Sequence, residues 1–546
     1  MKKATSLFRK ILSAALTLMT LLLLVCCSAG DGDGGDTAPP VEDGEHVCDF
    51  SQKVAEDKYL KSAATCTMRA TYYYSCTCGK KGEKAFGYGV AGSHDFKYEI
   101  PTKKYLVSEA TMESPALYAR SCECGYGGKE TFEYESPLLV EDGLLYTPTS
   151  VTVTLYSPAE YIYGFTYSSE KQPIDPVIQI KKAGEEEWTD YAPTTTAASS
   201  LDSSDNAITY YVSKAEVALR PYGSYVYRIC DRGAGVYTSE ISFRTKNASV
   251  DSFTFVHVGD SQDGPVQFGQ VLAAVADKAD FLIHTGDVVQ YSKYEHLWQE
   301  MLDTNSEYLS RLPIMAISGN HEVSSSYSGR DHDTFKHFNN NLPTQTSTKL
   351  GYFYSFVYGN VKFIMLNTNE LTSNQLKPKQ YDWLVKELSE NKCRWTVVAM
   401  HNPLYSVGKY GANPDRNAIA LALRQQLQGI FAEYGVDLVL QGHDHAISRT
   451  YPIDASGNPM AERLEKIGGI DYTVDPDGVI YVMNGPAGTQ TRSPYAIDES
   501  LYSYAEKSNK ASWAEITVDG DTLTVTVKYY DGVSENIYHT WGIKKS

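Results

Sequence analysis

At 546 residues the chain is too long for a single hydrophobic core, so several domains are expected. Its composition, 42% hydrophobic, 12% aromatic and 21% charged, is that of a folded protein, and its 42 tyrosines favour half-buried strands. A formal charge of −18 makes it a poor candidate for non-specific nucleic-acid binding, so no nucleic-acid partner is expected.

The N-terminus reads as a targeting segment. Lys2, Lys3, Arg9 and Lys10 precede an apolar run, Ile11 to Val25, which is short for a membrane span. The run ends in Leu24-Val25-Cys26-Cys27-Ser28, and an acidic glycine-rich stretch follows. This resembles a bacterial lipoprotein signal over residues 1–27. Cys27 is the expected lipid acceptor, because small Cys26 precedes it, with Cys26 as the other choice. Loss of the four basic residues takes the charge from −18 to −22. The chain is thus expected to be exported and anchored by lipid to the outer face of a bacterial cell membrane. Residues 28–45, rich in Gly, Asp and Pro, read as a flexible linker.

Residues 46–136 contain a repeat of period 46. "SCTCG" at 75–79 returns as "SCECG" at 121–125, Tyr59-Leu60 as Tyr105-Leu106, and Gly82 and Phe86 as Gly128 and Phe132. The first copy carries Cys48, Cys66, Cys76 and Cys78; the second has His94, Met112, Cys122 and Cys124 in those places. Histidine replaces cysteine as a zinc ligand but not in a disulfide, which favours structural zinc. Met112 leaves the second copy one ligand short, and an exported protein is free to form disulfides. Both readings stay open.

From 137 to 247 the pattern is β. "SVTVTLY" (150–156), "VIQIK" (177–181) and "SEISFRT" (239–245) alternate or are β-branched, which predicts an all-β sandwich. Cys230 there reads as a small buried residue.

Beyond Ser252 strands and helices alternate, which predicts an α/β domain over 252–546 with buried sheets flanked by helices. Strands are expected at 253–258, 281–284, 313–317, 361–366, 395–400, 436–440 and 478–483. Helices are expected at 266–278, 294–302, 380–390 and 417–434. The end, "AEITVDGDTLTVTVKYYDG", reads as a hairpin turning at Asp519-Gly520.

Five of these strands are followed by metal-capable side chains. Gly259-Asp260 comes after the first and Gly286-Asp287 after the second. Gly319-Asn320-His321-Glu322 and His401 come after the next two of the series, and Gly442-His443-Asp444-His445 after the last. The carboxyl edge of such a sheet is where ligands bind. Two Asp, an Asn and three His form an oxygen and nitrogen set without thiolate, which suits iron, manganese or zinc. The set is too large for one ion. Two ions ~3.5–4 Å apart, bridged by a carboxylate, would use all of it.

This order of motifs resembles the calcineurin-like metallophosphoesterase superfamily, and within it the purple acid phosphatase branch, which also carries a fibronectin-type sandwich. "LRPYGSYVYRICD", "YTSEISFRT", "AMHNPLYS" and "LVLQGHDHAISRTYPI" carry the likeness, over roughly 140–546. The resemblance implies that Asp260 and His445 hold one metal, that Asp287 bridges, and that Asn320, His401 and His443 hold the other. It implies hydrolysis of phosphate monoesters, with a metal-bound hydroxide attacking phosphorus and His321 donating the proton to the leaving oxygen. Glu322 or Asp444 is expected to orient His321.

Three positions depart from that pattern. A tyrosine three residues after the bridging Asp gives purple acid phosphatases their colour; here Gln290 stands there, and Tyr291 is one residue late. Gln262 occupies a place that much of the superfamily gives to a histidine, and its amide oxygen is a further candidate ligand. Gly411 replaces another histidine. His257 and His284 are expected to be packed, and His296, His332, His337 and His539 solvated. Cys393 reads as a structural thiol. The expected substrate is a phosphorylated small molecule or surface group. A phosphodiesterase on the same centre is the neighbouring alternative, and a surface binding protein working through its Cys-rich repeats is the alternative from another class.

Overall fold

The computed structural model describes residues 47–66, 68–108, 115–122, 125–134, 143–323, 336–341, 353–411, 417–495, 497–506, 510–531 and 534–546. The expected signal and linker, Cys26, Cys27, Met112, Cys124 and His332 lie outside these residues. Among the described residues no helix is long and apolar enough to cross a membrane.

The repeat region forms two small antiparallel sheets of three strands each. One is Leu60–Ser62, Arg69–Ser75 and Lys81–Ala91; the other is Leu106–Ser108, Ala116–Ser121 and Gly127–Tyr134. Their internal contacts recur at the sequence period. The bridge Gln52–Ser75 returns as Tyr98–Ser121. The Tyr59 hydroxyl donates to the Gly79 carbonyl as that of Tyr105 does to Gly125.

Two antiparallel sheets follow. One runs in the order Thr194–Leu201, Ala207–Ala218, Ile162–Ser169, Thr149–Ser157. The other is built around Ser224–Asp231, which pairs with Pro176–Lys182 and Ile241–Arg244. Alternation along these strands turns Val153, Phe165, Tyr227 and Phe243 into a common core, as a sandwich requires.

The remainder is a mixed α/β unit built on two large sheets. The first has eight strands and contains the parallel set Ser252–Val258, Phe281–His284 and Ile314–Ala316, continued by the antiparallel strands Ser512–Asp519, Thr522–Tyr530 and Glu535–Lys544. The second has seven and contains the parallel set Val361–Met365, Trp395–Met400, Leu438–Gln441 and Ile480–Asn484. The sheets face each other across Phe255, Ile283, Phe363, Val397 and Leu440. Helices Pro265–Val275 and Glu295–Thr304 cover the outside of the first. Helices Pro378–Ser389 and Ala418–Glu433 cover the second. Each parallel strand is therefore apolar on both faces, and the periodicity of a one-sided strand is absent from its sequence. The hairpin turns at Asp519-Gly520, where Gly520 has φ of 54°.

Two histidines expected in solvent are not there. His337 is fully buried, stacked on Trp298 at 4.8 Å, with its Nε2 3.4 Å from Glu295. His539 stacks on Tyr504 at 4.3 Å, and burial pushes it down to about 4. Both follow from pairing between elements distant in sequence.

Candidate metal centre

The parallel strands of both sheets end at one place. Asp260 and Asp287 follow the strands ending at Val258 and His284, and Asn320 follows the one ending at Ala316. From the second sheet, His401 follows Met400, and His443 and His445 follow Gln441. Five residues there have a left-handed backbone: Asp260, Gln262, Asp287, His443 and His445, at φ from 40° to 77°. Such φ values are unfavourable for side chains with a Cβ, and clustered strain of this kind marks a functional site. Gly319 is required by crowding, since a Cβ on it would lie 2.1 Å from Asp287 Oδ1. Gly286, at φ of 94°, would drive a Cβ to 2.4 Å from the Gly319 nitrogen.

The donor atoms fall into two groups, each drawn together within 4.8 Å. One is Asp260, Asp287 and His445; the other is Asp287, His401 and His443. Asp287 belongs to both. Asn320 joins the second through its Oδ1, 2.9 Å from His401 Nε2. The Gln262 amide donates to Asp287 Oδ2 at 3.3 Å, while its own oxygen is buried without a hydrogen-bond partner. A buried amide oxygen left unpaired beside two carboxylates suits a cation.

The histidines are oriented from behind. His401 Nδ1 donates to the Thr285 carbonyl at 2.8 Å, and His445 Nδ1 to the Gln490 carbonyl. Their Nε2 atoms are left facing Asp287 at 3.3 Å and Asp260 at 3.4 Å. Metal-binding histidines are commonly held this way, the second nitrogen donating to a carbonyl. Burial opposes a charge on His401, but the Asp287 carboxylate raises it to about 9. His443, beside His401, is instead pushed down to about 4 by burial and by the neighbouring His401 charge. Burial likewise penalises the Asp260 carboxylate, and His445 alongside outweighs it and keeps the acid below its usual range. The donor set thus fits two hard or borderline cations.

His321 stands apart from both groups. Its backbone N–H donates to Asp287 Oδ1 at 2.8 Å, and its Nδ1 donates to the Gln290 carbonyl at 2.6 Å. Its Nε2 is 3.8 Å from Asp287 Oδ2, and its side chain is 24% exposed, so it remains open to solvent. Neither carboxylate expected to orient it does so. Glu322 is fully buried and accepts the backbone N–H groups of Asp287, Val288 and Gly319 at 2.7 to 2.8 Å. Burial and the neighbouring Asp287 charge push its carboxyl up to about 8. Asp444 accepts from the backbone of Tyr410 and Gly411. That contact sets the Tyr410 ring 4.5 Å from His443. Tyr410 and the carbonyls of Thr285, Gln290 and Gln490 were not legible as site groups. A backbone carbonyl has no sequence signature, and Tyr410 is one place from the Gly411 departure.

Tyr291 is 45% exposed, its ring 6.4 Å from that of His321. Gln290 turns its amide oxygen to Gln490 at 2.9 Å. His257 and His284 are packed as expected, bonded to Thr285 and Ser261 and pushed by burial down to about 3 and about 4.

In the repeats, Cys48, Cys76 and Cys78 come together in one group, and Cys66, His94 and Cys122 in another. Cys66 thus leaves the copy that contains it. Cys230 is buried and Cys393 half-buried.

Residues 253–446 match the family model of calcineurin-like phosphoesterases. The chain is 26% identical over 306 residues to purple acid phosphatase 23 of Arabidopsis thaliana, covering 50% of this chain and 60% of that one. It is 21% identical over 316 residues to an acid phosphatase of Aspergillus ficuum, covering 43% of this chain and 50% of that one. The chain spans about three-fifths of the length of purple acid phosphatases 23 and 21 of that plant. Among solved structures, purple acid phosphatase PPD1 from yellow lupin superposes with a TM-score of 0.62 at 18% identity, covering 76% of each chain. PhoD superposes with a TM-score of 0.52 at 13% identity over 73% of this chain and 91% of that one. The mixed α/β unit is a metallophosphoesterase domain related to purple acid phosphatases.

Proposed function

We propose that this metallophosphoesterase-bearing chain hydrolyses phosphate monoesters at a dinuclear centre. Asp260 and His445 would hold one metal with Gln262 near it, Asp287 would be shared between the two, and Asn320, His401 and His443 would hold the other. The observation that carries this reading is the membership of Asp287 in both donor groups. Two ions of iron, manganese or zinc bound there would neutralise phosphoryl oxygens and lower the pKa of a water.

The chain's own groups do the rest. Thr285 and Gln490 carbonyls keep the Nε2 atoms of His401 and His445 turned inward. Glu322 ties the loops of Asp287 and Gly319 together, which fixes the bridge. With Nδ1 committed to the Gln290 carbonyl, His321 has only Nε2 to offer to a substrate. A proton on that atom is delivered to the departing alcohol oxygen. Burial of the donor set strengthens every charge interaction in it.

An exported chain held by lipid on Cys27, or on Cys26, would act on phosphorylated small molecules or surface groups outside the cell. Incorporation of labelled fatty acid, lost in Cys27→Ala, tests the anchor. The chemistry is tested by Asp287→Asn, which is expected to lose bound metal and turnover of a chromogenic phosphomonoester together. Wild-type turnover in that variant would refute the assignment. A preference for the bis-substituted over the mono-substituted chromogenic phosphate would move the reading to a phosphodiesterase.

A further inference from the structure

We propose a zinc site shared between the two repeats, formed by Cys66 of the first and His94 and Cys122 of the second. Their ligand atoms lie within 4.8 Å of one another, and the Sγ atoms of Cys66 and Cys122 are 3.1 Å apart. Tetrahedral zinc with ligands at ~2.0–2.3 Å keeps its donors ~3.5–3.8 Å apart, so modest movement closes the site around an ion.

Three local structures bring the donors together. Cys66 stands in the loop between Leu60–Ser62 and Arg69–Ser75. That loop is clasped to the start of the second repeat, because the Gly92 N–H donates to the Thr65 carbonyl at 2.7 Å. His94 is two residues beyond this clasp, its ring 5.2 Å from that of Tyr126. Cys122 opens a tight turn in which its N–H donates to the Tyr126 carbonyl, while Gly125 N–H returns to the Cys122 carbonyl. The same turn occurs at Cys76, Gly79 and Lys80, one repeat earlier. Gly79 and Gly125 have φ of 83° and 81°, which only glycine adopts at low cost. Each turn presents its first cysteine to a group. At Cys76 the partners are Cys48 and Cys78, the Sγ atoms of Cys48 and Cys78 being 3.5 Å apart.

The shared site explains two features of the sequence. Histidine at position 94 suits zinc and is useless to a disulfide. Methionine at position 112 ceases to be a missing ligand. If each loop cysteine serves the following copy, the second copy needs none, because the sandwich strand Thr149–Ser157 and its neighbours follow it rather than a third repeat. Zinc at this place couples the two modules, since neither holds the donor set alone.

Cobalt(II) tests the proposal in the full chain, purified under reducing conditions and stripped of metal. The phosphoesterase centre offers only oxygen and nitrogen donors, so thiolate-to-cobalt charge transfer reports on the repeats alone. Cys66→Ser and His94→Ala are expected to abolish the same share of that absorption, and the double variant no more than either. Cys48→Ser is expected to remove a separate share, and what persists in each case shows that the region still folds. His94→Cys, which replaces one ligand by another, is expected to retain the metal and intensify the band. The proposal is overturned if Cys66→Ser and Cys48→Ser remove one common share while His94→Ala removes none. It is also overturned if no thiolate band forms and Cys66 and Cys122 are recovered as a disulfide.

Discussion

The carboxylate of Glu322 accepts the backbone N–H of Asp287 at 2.7 Å, and the same oxygen accepts that of Gly319 at 2.7 Å. One buried acid thus joins the loops after two neighbouring strands, directly behind Asp287. Glu322→Gln puts an amide NH2 against these donors. Metal affinity and turnover are expected to fall ~10–100-fold, as for other residues that support metal ligands. Metal titration followed by calorimetry checks this, and an unchanged affinity would remove Glu322 from the centre's support.

His321 is held by a carbonyl on one nitrogen, and its other nitrogen lies 3.8 Å from Asp287 on a partly exposed side chain. His321→Ala is therefore expected to keep both metals while kcat for an alkyl phosphate falls ~10²–10⁴-fold. The loss should shrink for an aryl phosphate such as 4-nitrophenyl phosphate, whose leaving group needs no proton. Equal losses on both substrates would argue that His321 binds phosphate rather than donating a proton.

Tyr291 is exposed, with its ring 6.4 Å from that of His321. Protein loaded with iron is expected to lack the intense visible band of a tyrosinate–iron(III) bond, and Tyr291→Phe to leave its spectrum unaltered. A strong band that disappears in Tyr291→Phe would place the tyrosine on the metal.

Asp303 is buried at the end of helix Glu295–Thr304 and accepts the Ser150 N–H of the sandwich at 2.6 Å. Burial raises its carboxyl from 3.8 to about 7. A raised acid binds its proton more tightly in the folded state. Its stabilising contribution is complete below pH 3.8 and is lost as pH rises to about 7. Asp303→Asn keeps the accepting oxygen and cannot ionise. Its stability relative to wild type is expected to increase from pH 4 to pH 7, by up to about 4 kcal/mol. Urea unfolding across that range measures the difference, and a pH-independent gap would contradict it.

Much of the fold and the phosphoesterase centre was legible in the chain. Fully buried parallel strands are short apolar runs, and the glycine-acid and histidine motifs behind them occupy the one edge where strands of both sheets open. Asp260, Asp287, Asn320, His401, His443 and His445 could be named because each follows one of five such strands. The period of 46 was equally plain, because two copies repeat their tyrosines, glycines and cysteines in strict register.

Tertiary structure alone decided which group each of those residues serves. Glu322 turns to backbone N–H groups rather than to His321, and Gln290 orients that histidine through a carbonyl common to every residue type. His337 is buried because Trp298 and Tyr210 enclose it from separate domains. Cys66 leaves its own repeat for His94 and Cys122, because the clasp at Thr65 and Gly92 brings the two copies together. Residue type sets what a side chain can bind; which partner it meets depends on packing between segments that no local pattern connects.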